Sequence, residues 1–467
     1  MKLALAGDTM LGRRVGERLQ HAPARPLFST ELIDVVHEAD LVVLNLECAI
    51  SDRGERWPDP AKPYFFRAPR SAVEVLRDLR VDCVTLANNH SLDYGPTALL
   101  DTCRHLDDAG IARVGAGADE AAARAPAVMS AAGMRIGVLG VTDHPRDYAA
   151  GPDRPGVAYA DLRHGPPTWL LDTVQRCPGD LVMVSAHWGP NMVTEPASRV
   201  RAAAPALRAA GAGLVVGHSA HVFHGVGDRV LYDLGDFIDD YAIDPVMRND
   251  LGLLFLVTVV DGVPTALEAV PLALDFCFTR LADADEAAWI HDRFRRACAP
   301  FGTDVAIRGR RLVVTWDPPP PSPASRGDRG HAVRPHTADV LLDAWGPDPA
   351  ACLEEAVDAL VATYARPASA AVAAVQGRPV VHLAPAPLDE QLLTLLDEVL
   401  YVLDTDPALP VGARVTPSLD GGFDVEVLLA APDAVEHVGS IPKAVARSEL
   451  RVERHGNATR CSFLVDV

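Results

Sequence analysis

The stretch Cys83–Gly95, CVTLANNHSLDYG, opens as an apolar run and breaks at Asn88-Asn89-His90. It then passes through Asp93 into a helical pattern from Pro96 to Ala109. A buried strand that ends on amide and imidazole side chains, just before a helix, is the repeating unit of a layered α/β fold. Ligands of such folds gather outside the carboxyl ends of the strands. The same grammar recurs outward in both directions. Leu3–Ala6 runs into Gly7-Asp8, Leu41–Leu44 into Asn45-Leu46-Glu47, Leu181–Ala186 into His187-Trp188-Gly189, and Leu214–Gly217 into His218-Ser219-Ala220-His221. Further strands are expected at Ile136–Val141, Arg229–Asp233, Leu253–Val260 and Arg311–Thr315. Helices are expected at Ala72–Leu79, Val200–Ala210 and Glu286–Cys298.

Five polar strand exits in one sheet system can converge on one point. Asp8, Glu47, Asn89, His187, His218 and His221 would then offer mixed oxygen and nitrogen ligands, a set suited to Mn, Fe or Zn. Each residue has an ordinary alternative. Asp8 would equally cap a helix, Asn88 and Asn89 form turns readily, and a single buried histidine is more often a hydrogen-bonded core residue. The joint pattern is what points to a metal centre. Asp143-His144 follows another strand and would line the same cleft or form a turn.

Composition bounds the rest. The chain has 467 residues, with 63 acidic against 43 basic side chains and a net charge of −20. Hydrophobic residues make up 49% and charged residues 23%, which is the composition of a folded protein. Such acidity argues against tight nonspecific binding to nucleic acid or anionic membrane, but leaves room for a local basic groove. The eight cysteines include no Cys-x-x-Cys pair, which fits neither a disulfide framework nor a thiolate zinc site, so reduced, buried thiols are expected. The longest apolar run is too short to span a membrane, and MKLALAGDTMLG is too short for a signal peptide; the expected location is the cytoplasm. Only Lys2, Lys62 and Lys443 are lysines.

Residues 317–335, DPPPPSPASRGDRGHAVRP, read as a proline-rich linker between a domain over 1–316 and a smaller α+β domain over 336–467. In the smaller domain, strands are expected at Ala338–Ala344, Phe423–Leu429 and Ser462–Val467, and helices at Asp348–Tyr364 and Leu388–Leu403. Its 20 acidic and 8 basic residues give a net charge of −12. That disfavours direct RNA binding and suits a basic protein partner.

In this order, GDTM, NLE, LANNHSLDYG, HWG, GHSAHV and YDLGDF (Tyr232–Phe237) resemble the CapA-type, poly-γ-glutamate capsule biosynthesis branch of the calcineurin-like metallophosphoesterases. The resemblance covers roughly residues 1–270. It implies a four-layer αββα fold and metal ligation by Asp8, Glu47, Asn89, His187, His218 and His221, with His90 beside the scissile phosphate. Asp93 would orient His90 or cap the following helix. Arg13, Arg14, Arg67 and Arg248 are candidates for phosphate recognition. Three departures stand out. Met10 replaces the usual second residue of an Asp-x-His pair, Glu47 stands where the wider superfamily has a bridging Asp, and Asp236 stands where Asn is usual.

The tail resembles archease, an activator of RtcB-type RNA ligases, through His336-Thr337-Ala338-Asp339, LLDEVLYVLDTD (Leu395–Asp406), Lys443-Ala444-Val445 and Leu464-Val465-Asp466-Val467. This implies a Ca, Mg or Mn site using Asp339, Asp466 and the carboxylate of Val467, with Lys443 important for ligase activation. Taken together, the two halves suggest a cytosolic metal-dependent phosphoesterase that processes RNA ends, tethered to a ligase activator. Two other readings are a role in capsule or poly-γ-glutamate biosynthesis and a noncatalytic metal-binding adaptor.

Overall fold

Every residue of Leu41–Leu46 (LVVLNL) is buried, as befits a strand covered on both faces of a parallel sheet. It lies between parallel neighbours Lys2–Thr9 and Cys83–Thr85, the latter followed by Ala112–Val114. Beyond Lys2–Thr9 the sheet turns antiparallel through Leu251–Val260, Val263–Asp275, Arg311–Thr315 and Ala306–Arg308. A second sheet has the order Val230–Leu231, Leu214–His218, Leu181–His187, Met134–Thr142, Ala127–Ala131, antiparallel only at its last pair. The computed structural model describes residues 1–22, 25–316, 329–335, 340–367, 376–377, 381–438, 441–455 and 458–466.

Side chains alternate across each strand, so each sheet buries two sets of apolar residues. Leu3, Leu5, Leu41 and Val43 of the first sheet share a core with Val138, Met183, Leu214 and Val216 of the second. The reverse face of the first sheet, with Ala4, Val42 and Leu44, packs with Leu76 of the helix Ala72–Asp78 and Leu99 and Leu106 of Gly95–Ala109. The reverse face of the second, with Leu139, Val184 and Val215, packs with Leu170 of Thr168–Arg176 and Ala203 and Leu207 of Ser198–Ala209. Each fully buried Leu or Val contributes about 1.5–3 kcal/mol, so these cores fix the strand ends firmly. The helix Gly95–Ala109 stops at Gly110, whose φ of +73° supplies the left-handed cap.

The chain divides into two units, Met1–Pro318 and Pro319–Val467. The second has a sheet ordered Gly330–Pro335, Val340–Gly346, Ala458–Asp466, Ala444–His455, and another built on Phe423–Ala430. Its helices are Pro349–Val361, capped by Asp348, and Leu388–Thr405. Leu353, Val357, Leu392, Leu396 and Val425 meet Phe463 in its core. Residues 317–328 of the expected linker lie outside the described residues. Gly330–Pro335, also read as linker, is a strand pairing His331 with Ala344 and Val333 with Leu342; its Gly, Arg and Pro composition concealed the pairing. All eight cysteines are free. Among the described residues, no helix is long and apolar enough to cross a membrane.

Candidate metal centre

The two sheets deliver their polar ends to one place. Asp8, next to last in Lys2–Thr9, stands in register with Asp236 of the short parallel strand Asp236–Ile238. His187 and His218 are register partners at the ends of adjacent strands. Gly7 and Gly217, the residues before Asp8 and His218, make this approach possible. A Cβ on Gly7 would sit 1.9 Å from the Gly235 carbonyl oxygen, and one on Gly217 1.9 Å from that of Tyr232. The loop after His218 holds Ser219 and His221 at positive φ, +108° and +58°, a strained arrangement for residues with side chains. It is fastened by Ser219 N donating to Asp8 Oδ2 (3.2 Å) and Ala220 N donating to Asp233 Oδ2 (2.9 Å).

Around this point, single donor atoms of Asp8, Glu47, His221 and Asp236 lie within 4.8 Å of one another. Asp8 Oδ1 is 3.4 Å from His218 Nδ1, and Asp8 Oδ2 is 3.5 Å from His221 Nδ1. His221 Nδ1 is 2.9 Å from Asp236 Oδ1, and His187 Nε2 is 3.9 Å from Glu47 Oε1. Asn45 donates to Asp8 Oδ1 at 2.7 Å, and the Tyr241 hydroxyl reaches Glu47 Oε2 at 3.4 Å. Glu47 Oε1, Asn89 Oδ1, His187 Nε2, His218 Nδ1 and Asp236 Oδ2 are buried without a hydrogen-bond partner. Each such atom costs about 1–3 kcal/mol, more when charged.

The electrostatics show the same frustration. Burial pushes Glu47 well above the ordinary carboxylate range, and the negative charges of Asp8 and Asp236 push it further. Asp236 is likewise raised, chiefly by burial. Burial works against charge on His221, yet Asp236 and Glu47 outweigh it and raise its pKa well above the usual imidazole value. Burial would raise Asp8 too, but His218, His187 and His221 together hold it low. A divalent cation among these oxygen and nitrogen atoms would relieve both the unpaired donors and the mutual repulsion. The donor set fits Mn, Fe or Zn.

Beside the cluster, His90 Nδ1 lies 2.6 Å from Asp93 Oδ2, and the imidazole stacks on Phe66 with ring centroids 3.7 Å apart. Asp93 also accepts from Phe66 N (2.6 Å) and the Tyr148 hydroxyl (3.0 Å), and pairs with Lys62 Nζ (3.0 Å). Lys62 further donates to the Asn89 carbonyl at 2.8 Å, which ties the ammonium to both motif residues. Burial lowers the His90 pKa to about 4 against the pull of Asp93. Asn88 braces the loop by donating to Asn45 Oδ1 and the Leu46 carbonyl while accepting from His90 N.

The remaining candidates separate. Arg13 pairs with Asp240 (3.2 Å) and lies over Tyr64, Phe66 and Tyr241, at the rim of the cluster. Arg67 lies over Tyr94 and donates to the Arg53 carbonyl, so its guanidinium is engaged away from the ligand atoms. Arg14 pairs with Glu17 and Arg248 with Asp250. His144 is 5.2 Å from His187, ring to ring. Sequence reasoning missed Asp236, Lys62, Asp233 and Tyr241. Lys62 did carry a signal, as one of three lysines, and Asp236 stood out as a substitution within YDLGDF.

In the second unit, Asp466 is the exposed last residue of Ala458–Asp466, opposite Ala444, and Lys443 N donates to the Asp466 carbonyl at 2.8 Å. Asp339 and Val467 lie outside the described residues; the adjoining Val340 pairs with Val465. A different trio, His331, Glu355 and Asp358, has donor atoms within 4.8 Å. There Glu355 already accepts from Arg329 (2.7 Å) and lies 2.8 Å from His331 Nδ1, so the central carboxylate of this trio is already ion-paired.

The family described as bacterial capsule synthesis protein PGA_cap matches residues 2–241, and the archease protein family matches residues 331–467. A probable polyglutamine synthesis accessory protein of Mycobacterium tuberculosis (strain ATCC 25618 / H37Rv) is 32% identical over 363 residues, covering 66% of this chain and 94% of the relative. PGA biosynthesis protein CapA of Bacillus subtilis (strain 168) is 28% identical over 249 residues, 51% of this chain and 63% of the relative. A probable protein archease of the same Mycobacterium strain is 35% identical over 138 residues, 30% of this chain and 75% of the relative.

Proposed function

Since this chain belongs to the bacterial capsule synthesis protein PGA_cap family over residues 2–241 and carries an archease-family domain over 331–467, we propose that its first unit hydrolyses phosphoesters with bound metal and its second activates an RNA ligase. The first unit is metallophosphoesterase-like, and this reading takes its two packed sheets and flanking helices as a four-layer αββα arrangement. The observation that carries it is the set of buried donor atoms without hydrogen-bond partners on Glu47, Asn89, His187, His218 and Asp236. Together with Asp8 and His221 they would hold Mn, Fe or Zn. Bound cations would supply Lewis acidity, polarising a phosphoryl oxygen and lowering the pKa of a water toward neutrality.

The chain's own groups would do the rest. Asp93, fixed by Phe66 N, Tyr148 and Lys62, holds the Nδ1 side of His90 and leaves Nε2 for proton exchange with the leaving oxygen. The buried imidazole is neutral at pH 7, and an arriving phosphate anion would raise its affinity for the proton it donates. Arg13 at the rim would pair with a phosphate oxygen; Arg67 is engaged elsewhere. In the second unit, Asp466 with Asp339 and Val467 would bind Ca, Mg or Mn, and Lys443 would meet an RtcB-type ligase. RNA ends would be the substrate of the first unit, in a cytosolic setting. The test loads metal-stripped full chain with Mn²⁺ and offers bis(p-nitrophenyl) phosphate and RNAs of defined ends. Hydrolysis that requires Mn²⁺ and vanishes in Asp8→Asn supports the reading. Inactivity with Mn²⁺, Fe²⁺ and Zn²⁺ alike overturns it.

A second reading, an accessory role in polyglutamate synthesis, is favoured by the names of the capsule-type relatives. Loss of a γ-glutamyl polymer on deletion, with RNA repair intact, would decide for it.

A further inference from the structure

In a chain of net charge −20, one cavity of about 590 Å³ in the first unit is lined by Arg124, Arg146, Arg154 and Arg163, with Glu120 and Asp161 as its acidic residues. The walls are fastened by the backbone. Glu120 N donates to Gly151 O (2.9 Å), Ala150 N to Val157 O (3.0 Å) and Ala158 N to Gly115 O (2.8 Å). Two guanidinium groups are held in place. Arg124 stacks over Trp169 at 4.1 Å and pairs with Glu120, and Arg163 pairs with Asp161. Arg154 uses one nitrogen on the Ala149 carbonyl (2.6 Å) and keeps donors free. Arg146 has no ion-pair partner among the described residues, so two of the four positive charges are uncompensated. Planar guanidinium forks around a preformed hollow are the chemistry that recognises a phosphate oxyanion.

The cavity is connected to the metal centre by the segment that builds it. Thr142 is the register partner of His187 and also bridges to Tyr159 on the cavity wall. Two strand spacings therefore separate the backbone at His187 from that at Tyr159, about 10 Å. Arg146 and Tyr148 share one helical turn, and Tyr148 is the residue whose hydroxyl holds Asp93. We propose that this cavity is a second phosphate subsite, which takes a non-reacting phosphate of an extended phosphoester substrate while the scissile group lies at the metal centre. The role as a substrate subsite rests on the hydrolase reading above; anion binding does not.

The test uses the full chain in two arms. First, in EDTA, where the carboxylate-rich centre repels anions, titrate inorganic tripolyphosphate and measure binding by calorimetry. Saturable binding in the wild type, weakened at least tenfold in Arg146→Ala/Arg154→Ala, supports the subsite. No binding by the wild type, or equal binding by the variant, overturns it. Tighter competition by oligo-γ-glutamate than by tripolyphosphate of equal charge overturns the phosphate assignment in favour of a polycarboxylate. Second, with Mn²⁺, compare p-nitrophenyl phosphate with a dinucleotide bearing a further phosphate. The variant is expected to raise KM about tenfold for the dinucleotide and to change p-nitrophenyl phosphate turnover less than twofold. An equal effect on both substrates overturns the substrate role. A wild type that binds tripolyphosphate but hydrolyses neither compound with Mn²⁺, Fe²⁺ or Zn²⁺ would sink the hydrolase reading alone and leave the anion site standing.

Discussion

Two groups of carboxylates and imidazoles, one in each unit, bring their donor atoms within 4.8 Å of one another, yet they are chemically unlike. Around Asp8, Glu47, His221 and Asp236 the donor atoms are buried, and Glu47 Oε1 and Asp236 Oδ2 have no hydrogen-bond partner. Around His331, Glu355 and Asp358 the carboxylate of Glu355 is already satisfied by Arg329 and His331, and Glu354 takes another Arg329 nitrogen at 2.8 Å. Residue types and spacing do not separate these groups. Unpaired donors do, because a protein that buries them without partners is less stable by several kcal/mol unless a ligand compensates.

The comparison breaks or sharpens most strongly at Asp8. Asp8→Asn is expected to lower Mn²⁺-dependent hydrolysis about a thousandfold and to reduce bound metal measured by elemental analysis; unchanged metal content would contradict the assignment. Next, Mn²⁺ at about one hundred times its Kd should stabilise the first unit by about 2.7 kcal/mol, read as a raised unfolding midpoint in calorimetry. A transition belonging to the second unit that moved equally, and ceased to move in Glu355→Gln, would erase the distinction between the groups. Lys62→Ala should lower kcat about tenfold and shift the pH profile of kcat, with Lys62→Arg failing to restore either; removal of Asp93's ammonium partner is the cause.

Smaller effects belong to the second unit. Arg329 is nearly half exposed, so Arg329→Ala should cost that unit only about 1 kcal/mol in chemical denaturation. Burial, aided by Glu355, raises the Asp358 pKa to about 6. The folded form then binds the Asp358 proton more tightly than the unfolded chain. This contribution is present at low pH and is lost as pH rises through about 6. Glu355 is shifted the other way; burial opposes the shift, but His331 and Arg329 hold its pKa down. Its stabilising effect fades only below the ordinary glutamate range. Asp358→Asn should therefore flatten the stability profile of the second unit between pH 5 and 7, by about 1 kcal/mol.

Much of the first unit was legible because its strands are near-continuous apolar runs that stop abruptly on polar residues. Asp8, Glu47, His187, His218 and His221 converge for that reason. Lys62 was harder to read, since it sits in a stretch without regular structure and reaches Asp93 only through tertiary packing. Asp236 was read as a departure from a motif, whereas its register with Asp8 brings it into the cluster. The second unit was less legible. Ala444–His455 carries Arg, Glu and Ser between its apolar residues, which blurs the period of two, and Gly330–Pro335 looked like more of the linker before it. The arginine-lined cavity left no trace in the sequence, because its residues are spread from 124 to 163 and only the fold gathers them.

The socket around Lys62 has a consequence for how this chain can drift. Nearly all of its cations are guanidinium groups, broad and flat, whereas position 62 holds a compact ammonium 3.0 Å from Asp93 Oδ1 and 2.8 Å from the Asn89 carbonyl oxygen. The side chain is only 13% exposed, which leaves little room for the extra atoms of an arginine. Replacement by arginine therefore meets a steric wall at this socket, and in arginine-rich chains a buried, doubly hydrogen-bonded lysine is a marker worth following to the chemistry behind it.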